Sequence, residues 1–184
     1  INYDKAPRVP TVHMGSRTTS YILRGVSTPK TSFDKAFRED HWFNISAIDV
    51  FDLTAKSIAI IGNSITDGKN STNNAQNRWP DILSESLQKK HGVTDVGILN
   101  LGIGNNRVTL TGGFGFMARK RFDHDILLQR GVRTVVIFEG VNDIGATPNN
   151  KVEAVTNDLI QSYEEMIRKA KERNFRVFLG TISP

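Results

Sequence analysis

Residues 57–68, SIAIIGNSITDG, constrain the fold more than any other stretch of this chain. Ile58, Ala59, Ile60 and Ile61 form an apolar run without polar alternation, the pattern of a strand buried on both faces. Gly62 breaks the run, and a polar turn follows with Asn63, Ser64, Thr66, Asp67 and Gly68. The same arrangement recurs twice. Residues 96–101 run into Gly102, Ile103, Gly104, Asn105 and Asn106, and residues 134–139 into Gly140, Val141, Asn142 and Asp143. A fourth apolar run, residues 176–182, leads to Ser183 and Pro184.

Helical patterns separate these runs. Trp79, Ile82, Leu83, Ser86 and Leu87 recur at helical spacing, with Pro80 suited to a first turn and Gly92 closing the segment. A shorter helix is expected over residues 118–129, and a long one over residues 152–173. The stripe of the long helix is Val155, Leu159, Ile160, Tyr163, Met166, Ile167 and Ala170. The order βαβαβαβ predicts a parallel sheet with right-handed crossovers and helices on both faces. Residues 1–45 differ: they are rich in Thr, Ser, Arg and Pro and too poor in apolar residues for their own core. They read as an irregular or β segment, the tail of a preceding β domain, with extended pieces at residues 20–25 and 42–46. Ile48, Val50, Phe51 and Leu53 are expected to lead into the first strand, and residues 69–77, KNSTNNAQN, to form a surface loop.

Composition narrows the functional classes. The 184 residues hold no cysteine, so disulfides, thiolate metal sites and a cysteine nucleophile are excluded. No apolar run reaches the roughly 18 residues of a membrane span. The net charge is +5, but basic residues are interleaved with acidic ones, as in ARKRFDHD. That pattern reads as a solvated surface and gives no nucleic-acid groove. A phosphate-binding loop needs four residues between its glycines and Ser or Thr after the lysine. Here five residues separate Gly62 from Gly68, and Asn70 follows Lys69.

In a parallel sheet the three turns converge on the carboxyl edge, where open α/β folds bind ligands. They offer a hydroxyl, glycine-rich backbone with N–H groups and a side-chain amide, which are the parts of an acyl-transfer site. In order and spacing these blocks resemble those of the SGNH (GDSL-type) esterases and lipases. Arg78-Trp79-Pro80-Asp81, Arg121-Phe122-Asp123 and Glu139-Gly140-Val141-Asn142-Asp143-Ile144-Gly145 are similar to an extracellular bacterial and fungal branch.

The resemblance implies a flavodoxin-like three-layer α/β/α sandwich over residues 46–184. Ser64 would be the nucleophile and a backbone oxyanion donor, Asn105 a second backbone donor, and Asn142 a side-chain donor. Gly62, Asn63, Asp67, Gly102, Gly104, Gly140 and Asp143 would support the loops. The expected activity is serine ester hydrolysis through an acyl-enzyme, with no metal and no organic cofactor. Short acyl esters, carbohydrate O-acetyl groups among them, are the expected substrates. Lipid esters, or a non-catalytic carbohydrate-binding module on the same scaffold, are the alternatives. Secretion or a periplasmic location is implied in the same way.

Three positions depart from the family pattern. Asn63 stands where Asp is usual, and Asn105 where the oxyanion glycine is usual. The Asp-x-x-His block that supplies the base is missing, since His13, His41, His91 and His124 each lack an Asp three residues earlier. The expectation is therefore a chain cut before that block and inactive without its histidine.

Overall fold

The computed structural model describes residue 5, residues 7–25 and residues 32–182. The expected run into Ser183 and Pro184, and parts of the N-terminal segment, lie outside the described residues.

Four parallel strands form the centre: β5 (Lys56–Gly62), β6 (Val96–Gly102), β7 (Val132–Phe138) and β8 (Arg176–Leu179), in the spatial order β6-β5-β7-β8. In chain order this is 2-1-3-4, the doubly wound arrangement whose direction reverses beside the first strand. Successive side chains on β5 face opposite ways. Ala59 and Ile61 join a core with Phe122, Ile126, Val135, Ile137, Leu159 and Met166, whereas Ile60 is equally buried but outside that cluster. Both faces of the sheet are thus covered, which gives three layers. The first core is supplied by α3 (Ala118–Phe122) and α5 (Val152–Glu172); α2 (Trp79–His91) packs beside β6.

Details differ from the sequence expectation. The segment expected as one helix over residues 118–129 is α3 followed by a single π-helical turn, Asp123–Leu127. Strand β8 ends at Leu179, short of residue 182. Ile82 and Ile160 match the helical stripes but point to solvent, 48% and 49% exposed. Ile48, Val50, Phe51 and Leu53 precede β5 as expected, but in irregular, highly exposed chain.

The N-terminal segment forms two small antiparallel pairs. β1 (Val12–His13) pairs with β4 (Trp42–Phe43), and β2 (Ser20–Ile22) with β3 (Phe37–Glu39). This arm lies against the Asn-rich loop. Asn74 N–H donates to Arg17 O at 2.8 Å, Thr19 N–H to Asn74 Oδ1 at 2.8 Å, and Gln76 Nε2 to Thr18 Oγ1 at 2.9 Å. Asn73 Nδ2 donates to Asp40 Oδ2 at 2.9 Å. Asn70, Asn74 and Gln76 all adopt positive φ, a conformation that Asn tolerates better than most residues. The polar loop is a seat for the arm.

Candidate active site

Strand β5 delivers Ser64 to the carboxyl edge of the sheet as the first residue of the short helix α1 (Ser64–Asp67). Asn63 caps that helix, its Oδ1 accepting from Ile65 N–H at 2.9 Å. The capping role that Asp usually fills is therefore met by the amide oxygen. Behind α1 the packing is close: a Cβ on Gly102 would strike the backbone of Thr66 and Asp67, so only glycine fits there. Asn100 adds a tie, with Nδ2 donating to Thr66 O at 2.8 Å and Oδ1 accepting from Gly102 N–H at 3.0 Å.

The turn after β6 places Asn105 at φ +52°, in the left-handed region. Its carbonyl accepts from Phe114 N–H at 3.3 Å, and the buried Asn106 donates through Nδ2 to Phe114 O and Phe116 O at 2.7 and 2.9 Å. After β7, Gly140 has φ +115°, and a side chain there would meet the Tyr163 hydroxyl. Helix α4 (Val141–Ala146) then carries Asn142, whose Nδ2 donates to Asn106 O at 2.9 Å. A primary amide has two N–H groups, so one remains for another acceptor.

Asp143 is fully buried. Its carboxylate accepts from Val108 N–H at 2.8 Å, Thr109 N–H at 2.9 Å, Thr109 Oγ1 at 3.1 Å and Leu110 N–H at 3.0 Å. Asp67 is also largely buried; it accepts from N-terminal His13 through Nε2 and packs close to Gly104. Ser64, Asn105 and Asn142 are half-buried, whereas Gly62, Asn63, Asp67, Gly102, Gly140 and Asp143 are buried. Nearly all the candidate supports are thus more deeply buried than the candidate reacting groups; Gly104 is half-buried.

The sequence reading did not give Arg121 a place in the site. Its guanidinium, 5% exposed, donates to Asn106 Oδ1 from Nε and Nη2 at 3.1 and 3.0 Å, and to Leu101 O from Nη1 at 2.9 Å. It also reaches Gly62 O at 3.3 Å and Asp125 at 3.0 Å. One side chain thus joins the ends of β5 and β6 to the second turn. The signal was a lone Arg on the apolar side of a short helix. Trp79 and Phe138 are half-buried and edge-to-face at 6.3 Å, with Trp79 Nε1 donating to Thr66 Oγ1 at 3.3 Å.

Glu139 directly follows β7 and is buried, with neither carboxyl oxygen hydrogen-bonded among the described residues. Burial pushes its pKa up to about 8; the Arg121 charge opposes the shift and the Asp143 charge adds to it. Burial also raises Tyr163 to about 12, helped by the charges of Asp143 and Glu139. The histidines bond elsewhere: His13 to Asp67, His41 to Glu39 at 3.4 Å, and the exposed His124 to Asp125 at 2.8 Å. None hydrogen-bonds Ser64 among the described residues. The described residues hold no cluster of His, Asp or Glu suited to a metal ion, and no helix long and apolar enough to cross a membrane.

Comparison with known proteins agrees with this architecture. No curated protein sequence matches the chain. Among solved structures, AlinE4, an SGNH-hydrolase family esterase, superposes with a TM-score of 0.54 at 18% identity over 71% of this chain and 61% of its own. The chain thus spans about three fifths of that relative. The acetyl xylan esterase Axe2 (W215I variant) from Geobacillus stearothermophilus gives 0.52 at 16% identity, over 68% of this chain and 59% of its own. A two-domain esterase active on acetylated mannans gives 0.50 at 24%, over 68% and 29%. These likenesses concern the fold. The sequence pattern of the GDSL-like Lipase/Acylhydrolase family matches residues 60–184, well over half of the chain and all three turns of the sheet edge, and the chain belongs to that family.

Proposed function

We propose that this chain carries the nucleophile and oxyanion-binding half of a serine ester hydrolase. The observation that carries the reading is the meeting of three turns at one sheet edge. Half-buried Ser64 stands after β5, and Asn142 after neighbouring β7 is tied to Asn106, beside Asn105 in its left-handed turn. Ser64 Oγ attacks the ester carbonyl, the alcohol leaves, and water releases the acyl group from the serine. The backbone N–H groups of Ser64 and Asn105 and the free amide N–H of Asn142 receive the oxyanion. A preorganised donor of this kind contributes roughly 3–4 kcal/mol to the transition state.

Short acyl esters are the proposed substrates. Carbohydrate O-acetyl groups come first, since the fold neighbours include an acetyl xylan esterase and an esterase active on acetylated mannans. The general base is a histidine other than the four in this sequence, which leaves residues 1–184 alone inactive. The same proposal includes a boundary near residue 45 and a secreted or periplasmic location, to be checked by fractionating the host.

A fluorophosphonate probe should label the full-length protein at Ser64 and leave Ser64→Ala unlabelled. p-Nitrophenyl acetate and acetylated oligosaccharides should be cleaved, and long-chain esters poorly. Labelling that survives Ser64→Ala removes the nucleophile assignment. Glycan binding with no Ser64-dependent turnover would indicate a binding module.

A further inference from the structure

The last register pair between β5 and β7 is Gly62 with Phe138, so the next residue on each strand is Asn63 and Glu139. Adjacent strands run about 4.8 Å apart, which sets the capping residue of the Ser64 helix beside the buried acid. Both line one cavity of about 10 Å³ together with Ile65, Phe138, Val141 and Ile182. A water needs roughly 10–15 Å³, so this space admits one at most. Each of the two polar residues is 2% exposed.

A carboxylate ion in such a cavity lacks the solvation it needs, whereas the neutral acid is tolerated. The charged and titratable groups around Glu139 are Arg121 on α3, Asp143 on α4 and Tyr163 on α5, whose hydroxyl donates to Glu139 O at 2.9 Å. Arg121 is committed to Asn106, Asp125 and two strand carbonyls, and Asp143 to residues 108–110. To hydrate an ionised Glu139, the walls of the cavity must part. Those walls include Asn63 and Ile65 of the Ser64 turn and Val141 of the Asn142 turn.

We propose that Glu139 is a positioning residue that couples pH to the candidate site: its neutral acid lets the Ser64 and Asn142 turns stay packed around the cavity, and its ionisation separates them. Glu139 does not touch the substrate. Asn63 takes part because an amide keeps the capping acceptor without placing a second carboxyl beside Glu139. The catalytic arm of the test rests on Ser64 being the nucleophile; the stability arm does not.

The direction with pH follows from linkage. An unfolded glutamic acid titrates near 4.5, and Glu139 in the folded chain near 8. Between those values the folded state holds a proton that the unfolded state has released. The stabilising contribution is full below about 4.5 and is lost as pH rises through about 8.

The test uses the full-length protein, Glu139→Gln, Asn63→Asp and the double variant. Melting temperature and the rate of Ser64 labelling by a fluorophosphonate are followed from about pH 5 to about pH 10. Wild type should lose labelling about tenfold on the alkaline side, a typical coupling between groups in contact. Glu139→Gln should keep its rate there and show a flatter fall in melting temperature. Asn63→Asp should move the alkaline loss to higher pH, because a neighbouring carboxylate raises Glu139 further. The double variant should show no such loss. An alkaline limb unchanged in Glu139→Gln, or unmoved in Asn63→Asp, overturns the proposal. If Ser64 is not labelled at all, the nucleophile reading fails, and the melting curves decide the Glu139 proposal by themselves.

Discussion

The side-chain amide of Asn142 donates to the main-chain carbonyl of Asn106 at 2.9 Å, so the turn after β7 is fastened to the turn after β6 through a candidate reacting group. One N–H is taken by that carbonyl, and the proposed function gives the other to the oxyanion. Asn142→Ala removes both, and labelling or turnover should fall by about 10²–10³. Asn142→Asp keeps the size but can only accept when ionised, so it should be as poor as Ala. The readout is esterase kinetics alongside melting temperature. An active Asn142→Asp would contradict the donor role.

Asp143 collects three backbone N–H groups and a hydroxyl in a buried site. Asp143→Ala leaves those donors without a partner, at a cost of at least about 3 kcal/mol. A fall in melting temperature of roughly 6–12 °C is expected for a domain of this size. Differential scanning calorimetry measures it directly.

Arg121 holds Gly62 O, Leu101 O and Asn106 Oδ1 with a single planar group. The three N–H bonds of lysine leave from a single nitrogen, which cannot reach all the acceptors that Nε, Nη1 and Nη2 reach from separate positions. Arg121→Lys should therefore destabilise by more than about 2 kcal/mol and reduce Ser64 labelling, read by denaturant melts and probe kinetics.

The arm is held to the domain by Asn74 and its neighbours. These bonds are exposed, so the arm belongs to the less stable part of the molecule. In Asn74→Ala, tryptic cleavage after Arg17 and Arg24 should speed up severalfold while the core remains intact. Mass spectrometry of timed digests shows whether it does, and an unchanged cleavage rate would refute the docking role.

The sheet and its three turns were legible because each is local: an apolar run, a glycine and a polar turn within a dozen residues. The roles given to Ser64, Asn105 and Asn142 came from the family resemblance that those turns carry, and the structure brings the turns to one edge. What escaped the sequence is long-range. Asn74 meets Thr19 and Gln76 meets Thr18 across more than fifty residues, and a polar loop carries no periodicity that could announce this. Arg121 read as one basic residue among several, because its burial depends on where α3 lands. Glu139 was counted as the end of an apolar strand, and only the packed structure shows that its carboxyl is shut in. Ile82 and Ile160 show the converse, apolar residues at the right spacing that the core does not reach.

Asn105, which the resemblance sets at the family's glycine position, has φ +52°. What that place demands is a handedness of the main chain, and the identity of the side chain is secondary. The same logic predicts that a D-residue introduced there by chemical ligation would sit without strain, whereas a β-branched L-residue would not. It also means that a signature spelled in amino-acid letters is a proxy for a signature in dihedral angles.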